Sequence, residues 1–236
     1  MSLESRYYYE EGIILFKKKI GEGDLLLTIY GKEKGKFFAI AKGALKIKNR
    51  LRGKVSIFSV GRGHFVKRRE VDLLISWESY EKFLEILEDV DKFILISDYI
   101  RRADKFIPLE VKDLVIYSYF YDFLKSWRLI DRYLGDVFLI KLLQRLGYMG
   151  KLELKCKKCV KDLSKNDYMY FNLRDNVVYC EECKDIGSVK VDLREVMEFN
   201  EILDKTFDEI VREKYINSLD NLNLIGRMIE RIEQEV

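Results

Sequence analysis

From residue 12 to residue 77 the chain alternates between short apolar runs and glycine-marked breaks, the grammar of half-buried strands and tight turns. Gly12–Phe16 makes a first strand, which ends in Lys17, Lys18 and Lys19. Gly21-Glu22-Gly23-Asp24 turns into a second strand at Leu25–Tyr30, and Gly31–Gly35 turns into a third at Lys36–Ala41. A basic loop follows from Lys42 to Lys54. Val55–Val60 reads as a fourth strand, Gly61-Arg62-Gly63 as a turn, and His64–Trp77 as a fifth, longer strand. Five short strands with glycine at the corners predict a small closed or partly closed barrel.

After Ser79 the period changes. Glycine is absent until Gly135, and apolar residues recur at three- and four-residue spacing. This predicts helices at Tyr80–Glu88, Val90–Lys105, Leu109–Lys125 and Ile130–Leu146, with Asp89 capping the second, Pro108 opening the third, and Gly147 and Gly150 closing the fourth. The aromatic cluster Tyr117, Tyr119, Phe120, Tyr121 and Phe123 reads as core. Helix returns after a capping Asp192 as Leu193–Asn200, Glu201–Lys214 and Ser218–Glu235. The last piece sets Leu222, Leu224, Ile225, Met228, Ile229 and Ile232 on one side. The fold class is therefore α+β, with a β-barrel domain at residues 1–79 and an α-helical domain at residues 80–236.

The helical pattern is interrupted at residues 152–185 by the only four cysteines in the chain. Cys156 and Cys159 form one CxxC knuckle, Cys180 and Cys183 a second, with twenty residues between them. Each knuckle turns two thiolates toward one tetrahedral metal, and the spacer has room for a hairpin. Strand formers Tyr168, Tyr170, Phe171 and Val177–Tyr179 flank a turn at Arg174-Asp175-Asn176. This predicts a zinc ribbon holding one structural Zn2+, because four cysteines fill the shell and the lone histidine, His64, lies far upstream. Two disulfides or a dithiol redox pair are the competing readings. A single redox site needs one CxxC rather than two.

The opening Met1-Ser-Leu-Glu-Ser lacks a signal-peptide pattern, and no apolar run is long enough to span a membrane, which predicts a cytoplasmic protein with no membrane partner. Net charge is only +3, but it is unevenly spread. Between Lys42 and Arg69 there are ten basic residues and no acid, against 33 basic and 40 acidic residues elsewhere. A basic segment in a mildly acidic body points to a polyanionic partner. Among five-stranded barrels the oligonucleotide-binding (OB) barrel fits best, although an SH3-like barrel has a similar strand count. OB barrels bind with the face of strands two and three and the loops after strands one and four. Those loops would be Lys17–Asp24, with three lysines, and Gly61–Gly63, with Arg62; by alternation one of Phe37 and Phe38 faces outward. The expected nucleic-acid contacts are Lys17, Lys18, Lys19, Lys42, Lys46, Lys48, Arg50, Arg52 and Arg62. No catalytic motif accompanies them: there is no phosphate-binding GKS or GKT loop, no complete dinucleotide loop, and no nucleophile partner near His64. Binding rather than catalysis is expected.

Five blocks carry a resemblance to a known family: Glu11–Leu15, Gly21–Thr28, Gly35-Lys36, Ala41-Lys42-Gly43-Ala44 and Lys48-Asn49-Arg50-Leu51-Arg52-Gly53. In order and spacing they resemble the N-terminal domain of the bacterial DNA-repair protein family RecO, and a helical body with a four-cysteine insertion fits its zinc-bearing members. The resemblance implies an OB barrel, a helical domain, and a recombination mediator. Such proteins bind single- and double-stranded DNA, anneal complementary strands and, with RecR, help load RecA on strands coated by single-strand-binding protein (SSB). It further implies recognition of the SSB C-terminal tail by some members and a nucleoid-associated, cytoplasmic location. The chain departs from the family at Leu45, before Lys46, where arginine before lysine is common, and at Asn49, where serine is usual. The first departure removes one phosphate contact and leaves Lys46, Lys48, Arg50 and Arg52. The helical region diverges too far to place the SSB-tail pocket by residue. A zinc-ribbon RNA- or ribosome-binding protein, a zinc-using nuclease and a docking scaffold for acidic proteins are the rival classes.

Overall fold

The computed structural model describes residues 6–172, 174–216 and 223–235. The chain begins with five strands: β1 (Tyr7–Ile20), β2 (Asp24–Gly31), β3 (Gly35–Ala41), β4 (Ser59–Val66) and β5 (Asp72–Lys82). They close into a barrel in the order β1-β2-β3-β5-β4, with β1 paired to β4. Every pairing is antiparallel except β3–β5, where Ala39 and Ile40 meet Asp72 and Leu73 in parallel. This is the OB arrangement. β1 serves both neighbours because a bulge at Leu15, between Ile14 and Phe16, bends it from its pairing with β4 into its pairing with β2. Strand alternation sends Leu25, Leu27, Ile29, Phe37, Ala39, Phe65 and Leu74 into one core, each large member removing about 1.5–3 kcal/mol of apolar surface from water.

The structure redraws three of the expected boundaries in the barrel. Lys17, Lys18 and Lys19 do not form a loop: they stay in β1 opposite Leu27, Leu26 and Leu25, and only residues 21–23 turn. Val55–Phe58 is not strand, and Gly61-Arg62-Gly63 is the middle of β4 rather than a turn. The glycines are there for close approach: a Cβ at Gly61 would lie 2.3 Å from the Glu78 carbonyl oxygen, and one at Gly63 would lie 2.2 Å from the Phe65 ring. The β4–β5 turn falls instead on Lys67–Val71, and β5 runs on through Lys82, replacing the expected helix at Tyr80–Glu88 with strand and a short 3-10 turn at Leu84–Leu87.

Asp72, buried at the head of β5, ties that turn to the barrel. It accepts hydrogen bonds from the Tyr8 hydroxyl, the Lys34 ammonium and the Arg68 backbone N–H. Burial alone would raise its carboxyl, but these donors outweigh burial and hold it below the ordinary carboxylate range. A carboxylate depressed by folding adds stability above its unfolded pKa, and that stability is lost as pH falls through the folded value. Asp72→Asn is expected to cost about 2–3 kcal/mol at neutral pH and to flatten the acid limb of the stability curve. Urea unfolding at neutral and acidic pH reads both, and an unchanged midpoint at neutral pH would refute the assignment.

Three helices follow: α1 (Val90–Phe106), α2 (Leu114–Lys125) and α3 (Arg132–Arg145), each opened by an aspartate, Asp89, Asp113 or Asp131, whose side chain accepts from first-turn N–H groups. α2 starts later than Pro108 predicts. Ile107 is extended, as a residue before proline prefers, and the chain continues beside β3, where Glu110 N–H donates to the Lys36 carbonyl at 2.8 Å. Tyr117, Phe120 and Phe123 are buried as expected and Phe120 meets the Tyr30 ring, but Tyr119 and Tyr121 are only half-buried. α3 is buried along most of its length, and its Lys141 ammonium donates to the Leu203 carbonyl at 2.9 Å.

The inserted element contains β6 (Tyr168–Asn172), β7 (Val177–Tyr179) and an unexpected third strand, β8 (Ser188–Asp192), in the order β7-β6-β8. Asp192 then caps α4 (Leu193–Asp204) through a reciprocal capping box with Glu195. α4 runs past the expected break at Asn200. It is followed by α5 (Phe207–Ile216) and α6 (Asn223–Glu235), where Met228 and Ile229 are buried; residues 218–222, including Leu222, and residues 1–5 lie outside those described. Residues up to Ile100 with Ile107–Trp127 form one compact unit, and Arg101–Phe106 with Arg128 onward form a second. No helix among the described residues is long and apolar enough to cross a membrane.

Candidate metal centre and nucleic-acid interface

The two knuckles converge. The Sγ atoms of Cys156, Cys159, Cys180 and Cys183 all lie within 4.8 Å of one another. Backbone bonds shape the first knuckle: Cys156 N–H donates to the Lys161 carbonyl at 2.9 Å, and Lys157 N–H donates to Val178 of β7 at 3.0 Å, which brings it to the second. The Cys159 and Cys180 sulfurs are 3.7 Å apart, too far for a disulfide at about 2.05 Å and close to the edge of a tetrahedron built on metal–sulfur bonds of about 2.3 Å. Burial alone would raise the Cys156 thiol, but N–H donors from Cys159, Cys180 and Lys158 overcome it and bring it down to about 6. Glu182 and burial push Cys180 the other way; a cation among the four sulfurs reverses that balance. Four soft donors with N–H support suit a closed, structural metal site.

Some of the ribbon's charges are answered within it. Lys158 pairs with Asp185 at 2.6 Å, Lys190 sits 3.5 Å from the Tyr168 ring centroid, and the Tyr168 and Tyr170 hydroxyls donate to Glu181.

The basic loop is different. Ala44, Leu51 and Val55 drop into the barrel core, while Lys42, Lys46, Lys48, Arg50 and Arg52 stand exposed between those anchors. Successive turns hold the backbone: Lys46 N–H to Gly43, Asn49 N–H to Lys46 and Arg52 N–H to Asn49, at 2.9–3.1 Å. The Asn49 amide donates to the Lys42 carbonyl at 2.9 Å and its oxygen accepts from Leu51 N–H at 2.8 Å. Gly43 N–H donates to Asp24 and Leu45 N–H to the Gly23 carbonyl, so the loop is stitched to the β1–β2 turn. None of the five cations has a carboxylate within ion-pair distance among the described residues. They form a fixed cationic surface rather than a floppy tail.

Lys17, Lys18 and Lys19 are also exposed, along the protruding end of β1. Arg62 stands apart from them, on the outer face of β4 with its guanidinium 4.7 Å from the Tyr9 ring. Phe37 is buried and Phe38 is the outward one of the pair. Both line a cavity of about 310 Å³ with Lys34, Arg68, Arg69 and Asp72. Arg68 and Arg69 belong to the true β4–β5 turn and were not singled out from sequence as contacts. Their place in an acid-free basic run was visible, but the misplaced turn hid their position beside the cavity.

The barrel, the basic loop and the thiol cluster point in one direction. A family model described as the N-terminal domain of recombination protein O matches residues 4–83. Over that third of its length the chain is similar to RecO proteins. The DNA repair protein RecO of Heliobacterium modesticaldum is 30% identical over 158 residues, covering 65% of this chain and 56% of that protein. That of Acetivibrio thermocellus is 26% identical over 243 residues, covering 97% and 93%. That of Gloeothece citriformis is 38% identical over 96 residues, covering 41% and 34%. The first of these matches therefore spans little more than half of its relative, the second nearly all of it. Within the matched stretch Asn49 is the hub of the basic loop's hydrogen bonds.

Proposed function

We propose that this chain is a DNA-repair and recombination mediator of the RecO type that works by holding nucleic acid, with no chemical step and no nucleotide cofactor. The observation that carries the reading is the rigid loop with Lys42, Lys46, Lys48, Arg50 and Arg52 exposed on a barrel of OB topology. Cations spaced along a fixed backbone neutralise phosphates and release counterions, largely regardless of sequence. Two strands held at lowered repulsion with their bases free will pair, which is strand annealing. Lys17, Lys18, Lys19 and Arg62 extend the surface. Residues 1–79 supply the nucleic-acid-binding domain, and residues 80–236 carry the helices and the ribbon, whose four cysteines hold one structural zinc. The family reading adds RecR and the SSB C-terminal tail as partners, RecA loading on SSB-coated strands as the outcome, and the nucleoid as the place of work.

Annealing tests it. Two complementary labelled strands should pair faster with the native chain than alone, without added nucleotide, and the acceleration should fade as salt rises. DNA should compete at least as well as RNA of the same length and sequence. No acceleration would overturn the mediator reading, and a strong preference for RNA would favour an RNA- or ribosome-binding role.

A further inference from the structure

The outer wall of the barrel carries an aromatic row that the basic loop does not explain. Tyr7 and Tyr9 on β1, and His64 and Arg62 on β4, project to the same side, with Tyr9 opposite His64 and Glu11 opposite Arg62. Their side chains interleave across the strands. The His64 ring lies parallel to Tyr9, with centroids 4.5 Å apart and planes 13° apart, and meets Tyr7 at 5.7 Å and 41°. The Arg62 guanidinium lies 4.7 Å from the Tyr9 ring centroid. The sequence along the wall is thus Tyr7, His64, Tyr9, Arg62. The tyrosines are 59% and 61% exposed.

We infer that this row is a stacking subsite for the unpaired bases of a single strand, an inference that rests on the nucleic-acid reading above. Three features favour bases over a protein. The row offers planar π-surfaces with a guanidinium, the combination on which single-stranded nucleic acid stacks whatever its sequence. Its neighbours on β5 beside His64 and Arg62 are polar, Ser76 and Glu78, and aliphatic side chains flank it only at the Tyr7 end, Val66 and Leu73, a smaller apolar floor than a protein–protein core presents. The same strand that starts with Tyr7 and Tyr9 ends with the exposed Lys17, Lys18 and Lys19, so β1 carries both stacking surfaces and phosphate contacts, on either side of its buried stretch Gly12–Leu15. The row also reassigns Arg62. Glu11, which pairs with Lys32, and Glu78 stand opposite it on the neighbouring strands, and its place on Tyr9 suits stacking more than a phosphate contact.

The test compares a base-bearing oligonucleotide with an abasic oligomer of equal phosphate number, by anisotropy, on the full chain. The native protein should prefer the base-bearing strand by about tenfold. Tyr7→Ala/Tyr9→Ala should lose that preference while keeping its affinity for the abasic oligomer, and Tyr7→Phe/Tyr9→Phe, which keeps the rings, should retain it. A second measurement needs no variant: photo-crosslinking of the native chain to 5-iododeoxyuridine DNA should give adducts at Tyr7, Tyr9 or His64. A native protein indifferent to bases, an alanine variant that keeps the preference, or adducts only elsewhere would each overturn the inference and leave the basic loop reading standing. A native protein that binds neither oligomer would overturn the nucleic-acid reading first, and the stacking site with it.

Discussion

Alanine at Lys46, Lys48, Arg50 and Arg52 together is expected to lower affinity for single-stranded DNA by about 10²- to 10³-fold at low salt. The backbone of the basic loop should survive, because its anchors are Ala44, Leu51 and Val55 in the core and the Asn49 hydrogen bonds, none of which the substitutions touch. The loss is therefore one of charge rather than of fold. Each phosphate contact on a single strand contributes about −0.7 to the slope of log affinity against log salt, so removing four should flatten the slope by about 3. The decline should be similar for unrelated sequences, since phosphates carry no base identity. Anisotropy titrations across a salt series measure both. If the variant bound as tightly as the native chain, the DNA surface would have to lie elsewhere, on the ribbon or the helices.

Loss of the metal should have the larger effect on structure. Cys156→Ser/Cys180→Ser removes one ligand from each knuckle, and structural zinc at such sites contributes about 10–16 kcal/mol of apparent binding energy near neutral pH. The ribbon is small, with β7 only three residues long, and has little other means of holding its knuckles together. Native protein should carry one zinc per chain by elemental analysis, and the variant none. Limited trypsin digestion should then cut the variant between Lys155 and Lys190, where the native chain resists. The barrel lies in the other compact unit, so DNA affinity should be largely retained. A metal-free variant whose ribbon still resisted trypsin would show that the hairpin stands on its own packing.

These two expectations differ in how much of them could be read before the structure. The thiol cluster was legible almost whole: CxxC places two thiols on one tight turn, and a spacer of strand-forming residues lets a hairpin bring two such turns together. What the spacing did not disclose was β8, because pairing of Ser188–Asp192 with β6 depends on partners some twenty residues away. The basic loop's charges were also plain from sequence. Its rigidity was not, since that comes from three small or aliphatic side chains seated in a core formed by other strands.

The amino-acid sequence by itself determined the class of fold, the thiol ligands and the cationic segment, because periodicity, ligand spacing and charge are local properties of a chain. Tertiary structure alone decided where the turns fall and what the outer wall presents. Gly61-Arg62-Gly63 has the composition of a turn, yet it runs mid-strand, its glycines making room for the Glu78 carbonyl of β5 and for the Phe65 ring. The displaced turn put Arg68 and Arg69 at the cavity beside Phe38 and moved Arg62 onto an aromatic row. Tyr7, Tyr9 and His64 are unremarkable one at a time. They become a continuous surface only through the cross-strand register of β1 and β4, which joins positions more than fifty residues apart and is set by barrel closure rather than by either strand.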